Sequence, residues 1–166
     1  MKTFIISIVA WFLLASCNNS NEHTNINTSD SLPANADQNS SNKPDLSGCY
    51  LRVIKRDTLA LRLEEKNGAV TGKLSFDNYE KDGSTGTVKG TVENNIVKLI
   101  YDFQSEGMHS VMDIYFKITD KGLIQGIGEV APRGDTTAYT NPDKVDYPAD
   151  NELLKISCDV LDDKYK

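Results

Sequence analysis

From Leu46 onward, apolar and polar residues alternate with the period of two that indicates half-buried β-strands. Leu59, Leu61 and Leu63, for example, fall on one side of an extended chain, and Arg62 and Glu64 fall on the other. No segment before residue 150 shows a sustained helical period. The alternation predicts seven strands, over 49–55, 59–64, 70–76, 85–93, 96–103, 112–118 and 123–130.

The predicted strands are separated by short turns rich in glycine and asparagine, such as Lys66-Asn67-Gly68 and Asn94-Asn95, which favour antiparallel hairpins. A sheet with one apolar face must cover that face, and closing on itself also removes its exposed edges. The sequence therefore predicts an all-β fold, an antiparallel meander that closes into a small barrel of 7–8 strands or remains strongly curved and half open. Glycines within the strands mark sharp bends or close backbone contacts: Gly72, Gly86, Gly90, Gly126 and Gly128.

The first residues have a different pattern. An apolar run of eleven residues, Phe4 to Leu14, follows Lys2 and is broken only by Ser7, which is too short for a transmembrane helix but typical of a signal peptide. Leu14-Ala15-Ser16-Cys17 then resembles the lipobox of bacterial lipoproteins. The resemblance implies a signal peptide over 1–16 and an acylated Cys17 that anchors the chain in a lipid bilayer. The alternative is an ordinary signal peptide that contains a cysteine by chance.

Residues 18–45 include eight Asn and five Ser and almost no large apolar side chain, so they predict a disordered linker. The predicted organisation is thus an anchor and linker over 17–45, a β-barrel domain over 46–160 and a polar tail over 161–166. Within the linker, Asp30-Ser31-Leu32 resembles a short O-glycosylation motif of Bacteroidetes, which makes Ser31 a possible glycosylation site.

Two cysteines remain once Cys17 is acylated. An even pair in an exported protein suggests a disulfide, here between Cys49 and Cys158. Such a bond would join the first strand to the end of the chain. Two free buried thiols are the alternative, because cysteine is also a good core residue.

The net charge of the chain and the types of its reactive side chains argue against some classes of function on sequence grounds. The formal charge of −6 becomes −7 without Lys2, and an acidic surface disfavours nucleic acid as a partner. His109 is the single histidine of the predicted domain, and no second histidine or spare cysteine supports a metal site. Candidate acids and bases are not clustered, so the chain is predicted to be no enzyme and to need no cofactor.

Two groups of residues are candidates for ligand binding. Gln125 and Glu129 share the face of Leu123 and would lie inside the barrel if that face is interior, or in solvent if it is not. The segment between Val130 and Asn151 contains three prolines and predicts no regular structure. It is either a binding loop or a strap that delivers residues 152–158 for pairing, and it supplies three residue types common in binding surfaces: Arg133, Tyr139 and Tyr147.

Leu46-Ser47-Gly48-Cys49-Tyr50-Leu51, followed by a meander, resembles the Gly-x-Trp start of lipocalins. Tyr50 stands where that family has tryptophan, and no helix is predicted after the last strands. The chain is also similar to flavobacterial lipoproteins that open with Gly-Cys-Tyr and end in a lone cysteine. These resemblances imply a lipocalin-like lipoprotein of the bacterial envelope.

The leading hypothesis is a non-enzymatic binder of a small apolar or lipid-like ligand. The alternative is an interaction module with a fully packed barrel that contacts another envelope protein. A cavity of several hundred Å³ would favour the first and a filled centre the second. Because Asn18 is not the aspartate that retains lipoproteins in the inner membrane of enteric bacteria, the periplasmic leaflet of the outer membrane is the expected location.

Overall fold

The computed structural model describes residues 45–164, so the predictions on Cys17, Ser31 and the linker before Asp45 fall outside the described residues. The chain divides into two units, Met1–Ser40 and Ser41–Lys166, and the described residues belong to the second. They form ten strands and one α-helix: β1 (Gly48–Ile54), β2 (Asp57–Lys66), β3 (Ala69–Asp77), β4 (Ser84–Glu93), β5 (Ile96–Ser105), β6 (Met108–Ile118), β7 (Gly122–Gln125), β8 (Val130–Arg133), β9 (Thr136–Tyr139), β10 (Glu152–Ile156) and α1 (Cys158–Lys164).

Eight of the strands close into an antiparallel barrel. β1 to β7 pair in sequence order, and β10 lies between β7 and β1, so that no barrel edge is left open. The prediction of an all-β barrel is confirmed, and the sheet is closed rather than half open. β8 and β9 form a hairpin outside the barrel, where β9 pairs in parallel with the first part of β6.

Register and turn chemistry explain why these residues form hairpins. Leu59 pairs with Phe76 and Leu61 with Leu74, so apolar residues of β2 and β3 share the inner face. The turn between these strands places Asn67 and Gly68 at φ of 53° and 81°. Asparagine and glycine tolerate this left-handed region better than other residues, which favours the tight turns that match strand twist.

Glycines inside the strands allow the sheet to coil tightly. A Cβ atom on Gly72 would overlap the main-chain carbonyl of Arg62, and one on Gly90 would overlap that of Lys98. The obstructing atoms belong to the backbone of the neighbouring strand, so a side-chain movement cannot relieve the overlap. The close contacts that the sequence predicted at these two positions are therefore present.

The barrel interior is filled by apolar side chains. Leu46 lies at the end where β1 begins, and its carbonyl oxygen accepts a hydrogen bond of 2.8 Å from the Tyr50 hydroxyl. We call this the closed end. The filled centre consists of sixteen buried residues: Leu46, Tyr50, Leu59, Leu61, Leu63, Val70, Leu74, Val88, Val97, Leu99, Tyr101, Ile114, Phe116, Ile118, Leu123 and Leu153.

The predicted disulfide is confirmed. Cys49 and Cys158 are bonded, with their Cα atoms 5.1 Å apart, and the bond joins β1 to the start of α1. The helix, which the sequence did not predict, includes residues that the pattern assigned to a polar tail. Leu161 is buried beside Cys49 and Ala60 in a small cluster on the outer face of the barrel.

The segment from Gly126 to Asn151, which we call the strap, runs from β7 to β10. The prediction that it has no regular structure was wrong, because it contains the β8–β9 hairpin and two 3-10 turns, Pro142–Lys144 and Ala149–Asn151. Pro132 is accommodated in β8, the edge strand of the sheet, where a missing backbone donor is tolerated. The predicted strand over 123–130 also ends early, at Gln125.

Within residues 45–164, no helix has both the length and the apolar character that crossing a membrane requires.

Candidate binding site

The barrel end opposite the closed end, which we call the mouth, lies where β1, β3 and β5 finish and β6 begins. Inward-facing positions of these strands continue past the filled centre toward solvent. They can be recognised by register, since cross-strand partners share a face: Arg52 pairs with Leu59, and Met112 with Tyr101. The residues that face the mouth by this rule include Arg52, Ile54, Phe76, Phe103, Met108, Met112 and Gln125, together with the polar residues Asp57, Ser84 and Ser110.

Aromatic rings form the floor and one wall of the mouth. The Tyr101 ring stacks on the Phe103 ring with centroids 4.5 Å apart, and the Phe76 ring lies 6.0 Å from Tyr101. The Tyr101 hydroxyl donates to the Leu74 carbonyl oxygen at 3.2 Å and lies 3.1 Å from the Ser84 hydroxyl. Burial raises the pKa of Tyr101, so the floor is neutral. Phe76, Phe103 and Met112 are only partly buried.

Two apolar side chains remain exposed around the rim. The exposed fractions are 46% for Ile54 and 66% for Met108. Nearby, the Arg56 guanidinium carbon lies 3.0 Å from the centroid of the Tyr79 ring, which connects the β1–β2 turn to the loop after β3. Contiguous exposed apolar surface on a small domain is a recognised mark of a binding site.

One positive charge faces the mouth. Arg52 extends from β1 across β10, and its Nη2 donates a hydrogen bond of 3.2 Å to Gln125 Oε1 on β7. Its Nη1 is buried and has no hydrogen-bond partner in the described part of the chain. Burial lowers the pKa of the Arg52 guanidinium, because desolvation disfavours the charged form.

The structure places the two predicted ligand-binding residues of the 123–129 segment in different environments. Gln125 pairs with Phe116 and faces inward, whereas Glu129 follows the end of β7 and is exposed. The alternation breaks after Gln125, where Gly126 donates its N–H to the Tyr115 carbonyl oxygen at 2.8 Å. Neither sequence interpretation, with both groups inside or both in solvent, therefore describes this segment.

The other three predicted residues lie on the strap, away from the mouth. The Tyr139 ring packs on Tyr115 with centroids 4.8 Å apart, and its hydroxyl donates to the Gly126 carbonyl oxygen at 3.2 Å. Tyr147 is partly buried beside them, and Arg133 Nη2 lies 3.6 Å from the buried Asp113 Oδ2. These contacts hold the strap against the outer face of β6, which supports the strap interpretation.

Two buried tyrosines predict how the domain responds to alkali. Burial is the main cause that raises the pKa of Tyr50 to about 12 and that of Tyr139 to about 12. Because these values exceed the unfolded value of about 10, the stability they contribute is complete below pH 10 and is lost as pH rises toward 12. Above pH 10, we expect the phenolate absorbance at 295 nm to increase over the same pH range in which the far-UV circular dichroism signal is lost. Ionisation of all tyrosines near pH 10 in a folded barrel would contradict this.

A second concave surface lies outside the barrel. A groove of about 1440 Å³ runs along the outer face of β2, β3 and β4, with α1 as one wall. Its lining mixes charged and hydroxyl side chains, including Arg62, Lys73 and Thr87. Arg62 is already paired with Asp162 of α1 at 2.6 Å. None of its lining side chains has a buried donor that lacks a hydrogen-bond partner.

Residues 45–164 offer little support for a catalytic site or a metal site. His109 Nε2 lies 2.7 Å from Asp102 Oδ1, but both side chains are exposed on the outer face of adjacent strands. In this part of the chain, no three His, Cys, Asp or Glu side chains are placed to hold a metal ion. The absence of a catalytic activity stays a prediction.

Sequence reasoning missed most of the mouth. Arg52, Phe76, Phe103 and Met112 were not among the predicted site residues. A clue was present at Arg52, since it alternates with Tyr50 and so falls at an inward position of β1. A charged residue at an inward position is unusual enough to suggest a site.

Comparisons of the chain with protein-family models, with curated proteins and with solved structures found no match.

Proposed function

We propose that the chain is a bacterial envelope lipoprotein, anchored through acylated Cys17, whose barrel binds a small amphipathic molecule at the mouth without catalysis. The lipobox-like Leu14-Ala15-Ser16-Cys17 supports the anchor. The outer membrane, on its periplasmic leaflet, is the proposed location. The rest of the proposal depends on the geometry of the mouth.

The observation that carries the binding role is the apolar surface of the mouth. Phe76, Phe103 and Met112 are only partly covered, and the rim adds Ile54 and Met108. Removing apolar surface from water contributes roughly 25 cal/mol per Å², so a ligand with an apolar part would bury this surface favourably.

The filled centre limits where a ligand can lie. Tyr101, Leu99 and Phe116 are almost fully buried and occupy the middle of the barrel. A ligand would therefore lie in the mouth, above the Tyr101 ring, rather than in the central cavity that the sequence hypothesis considered. This geometry favours a short or partly exposed ligand.

A second candidate function has its own support. The filled interior is the property expected of an interaction module, in which the mouth and rim contact another envelope protein. Exposed Ile54 and Met108 suit that role as well. The two candidates differ in whether a free small molecule binds.

Binding of N-phenyl-1-naphthylamine, a neutral apolar fluorophore, tests the mouth in residues 41–166, which contain all the core residues and the disulfide described above. We expect fluorescence enhancement with the wild-type protein. Met108→Asp should weaken binding about tenfold, because a charge replaces an apolar contact of roughly 1.5 kcal/mol or more.

Leu154→Asp is the matched control, because Leu154 is an exposed apolar residue of β10 that pairs with Leu51 on the outer face. This variant should bind the fluorophore like the wild type. Absence of binding, or an equal loss in both variants, would reject the mouth as a small-molecule site and favour the interaction module.

A further inference from the structure

We infer that Arg52 is the anion-binding group of the mouth and that the ligand is a long-chain carboxylate, with its head group on the guanidinium and its chain along the aromatic wall. The inference rests on the binding role proposed above and specifies the chemistry of the ligand.

The first step is the position of Arg52. It pairs with Leu59, and Leu59 pairs with Phe76, so the three side chains form one inward-facing row. The next inward position on β1 is Ile54, at the rim. The guanidinium therefore lies between the filled centre and the exposed apolar rim.

The second step is the hydrogen-bond inventory. A guanidinium carries five N–H donors in a planar fork and remains charged in proteins. Arg52 Nη2 donates to Gln125 Oε1, an uncharged acceptor, and the buried Nη1 donates to no described residue. Buried polar groups are nearly always hydrogen-bonded in folded proteins, so this donor is available to an acceptor from outside the chain.

The third step is the absence of a compensating charge in the described part of the chain. The ion pairs found there belong to Arg62, Lys98, His109 and Arg133, and none includes Arg52. Desolvation is the cause that lowers the pKa of Arg52, and no acidic neighbour offsets it. A partly buried cation without an anion is unfavourable, so an anionic ligand would relieve it.

The fourth step is the shape of the ligand. A carboxylate accepts two hydrogen bonds from a guanidinium in matching planar geometry. Phe76, Phe103 and Met112 offer partly buried apolar surface at the same end of the barrel as the cation, and Ile54 and Met108 add exposed apolar surface at its rim. A monocarboxylate with an unbranched apolar chain matches one positive charge and these apolar side chains.

Isothermal titration calorimetry with monomeric dodecanoate and with dodecanol tests the inference on residues 41–166. We expect dodecanoate to bind the wild-type protein. Arg52→Met, which keeps the apolar stem and removes the charge, should weaken dodecanoate binding about 10- to 100-fold and leave dodecanol binding unchanged. Arg52→Lys, which keeps the charge but loses the fork, should have an intermediate effect.

Arg56→Met is the matched control, because Arg56 is a second cation at the same end of the barrel but stacks on Tyr79 outside the mouth. It should bind dodecanoate like the wild type. Circular dichroism checks the fold of each variant, and Arg52→Lys keeps the test valid if Arg52→Met does not fold.

The outcomes separate this inference from the proposed function. If dodecanol binds and Arg52→Met leaves dodecanoate binding unchanged, the mouth is a binding site, but Arg52 is satisfied by water and the inference fails. If neither compound binds the wild-type protein, both this inference and the proposed function fail. Equal losses of both compounds in Arg52→Met would show that Arg52 shapes the mouth and does not recognise the anion.

Discussion

Removal of the Cys49–Cys158 disulfide is expected to lower the free energy of unfolding by about 4 kcal/mol. The bond closes a sequence separation of 109 residues. In the chain-entropy model, a crosslink over about 100 residues stabilises by up to ~4.7 kcal/mol, because it restricts the unfolded chain. Loss of the bond also releases α1, whose Leu161 contacts Ala60. The melting temperature should fall by roughly 10–20 °C.

Urea denaturation of residues 41–166 with and without dithiothreitol measures this effect. The Cys49→Ala/Cys158→Ala variant should match the reduced wild-type protein and should no longer respond to dithiothreitol. Equal urea midpoints for the oxidised and reduced wild-type protein would contradict the prediction and would mean that barrel closure by β10 is sufficient without the bond.

Phe116→Ala is expected to destabilise the barrel by about 3–5 kcal/mol, which is the usual range for truncating a fully buried phenylalanine. Phe116 has no exposed surface and pairs with Val97 and Gln125 on the inner face. The loss should be visible as a lower urea midpoint. Lys117→Ala, the exposed neighbour on the same strand, should change the unfolding free energy by less than about 0.5 kcal/mol.

The same variant tests whether the barrel centre is filled. An apolar cavity the size of a ring stays dry and can bind benzene. We therefore expect benzene to raise the melting temperature of Phe116→Ala and not that of the wild-type protein. Stabilisation of the wild-type protein by benzene would show that its interior already has room for a ligand.

The barrel was predictable because its main features are local. β2 to β6 have clean alternation, and their connections contain residues suited to tight turns, such as Asn94 and Asn95 at φ of 49° and 65°. Local patterning therefore specifies both the hairpins and the buried face. The disulfide followed from the even number of cysteines left once Cys17 is assigned to the predicted anchor.

The strap was less predictable because its conformation depends on tertiary contacts. Nothing in its own pattern shows that Tyr139 packs on Tyr115 or that Ile127 forms a bridge with Asp146. Those contacts end β7 at Gln125 and turn Glu129 toward solvent. The helix α1 has only seven residues, too few to show a helical period, and it is held by Cys158 and Leu161.

The mouth was missed for a different reason. Hydrophobic patterning identifies inward positions, but it does not show how far along a strand the filled core extends. Phe103 and Leu99 both lie on the inward face of β5, yet Leu99 is nearly fully buried and Phe103 is only partly buried. The distinction depends on strand stagger around the barrel, which is a property of the closed sheet.

The first described residue and the end of the last barrel strand lie at one pole of the barrel. Lys155 Nζ donates to the Asp45 carbonyl oxygen at 2.8 Å, and Cys49 pairs with Ile156, so Asp45 and the end of β10 lie together at the closed end. A surface or reporter attached through the residues that precede Asp45 would therefore leave the opposite pole unobstructed. Protein immobilised in this way should present Arg52 and its apolar surroundings freely to the solution.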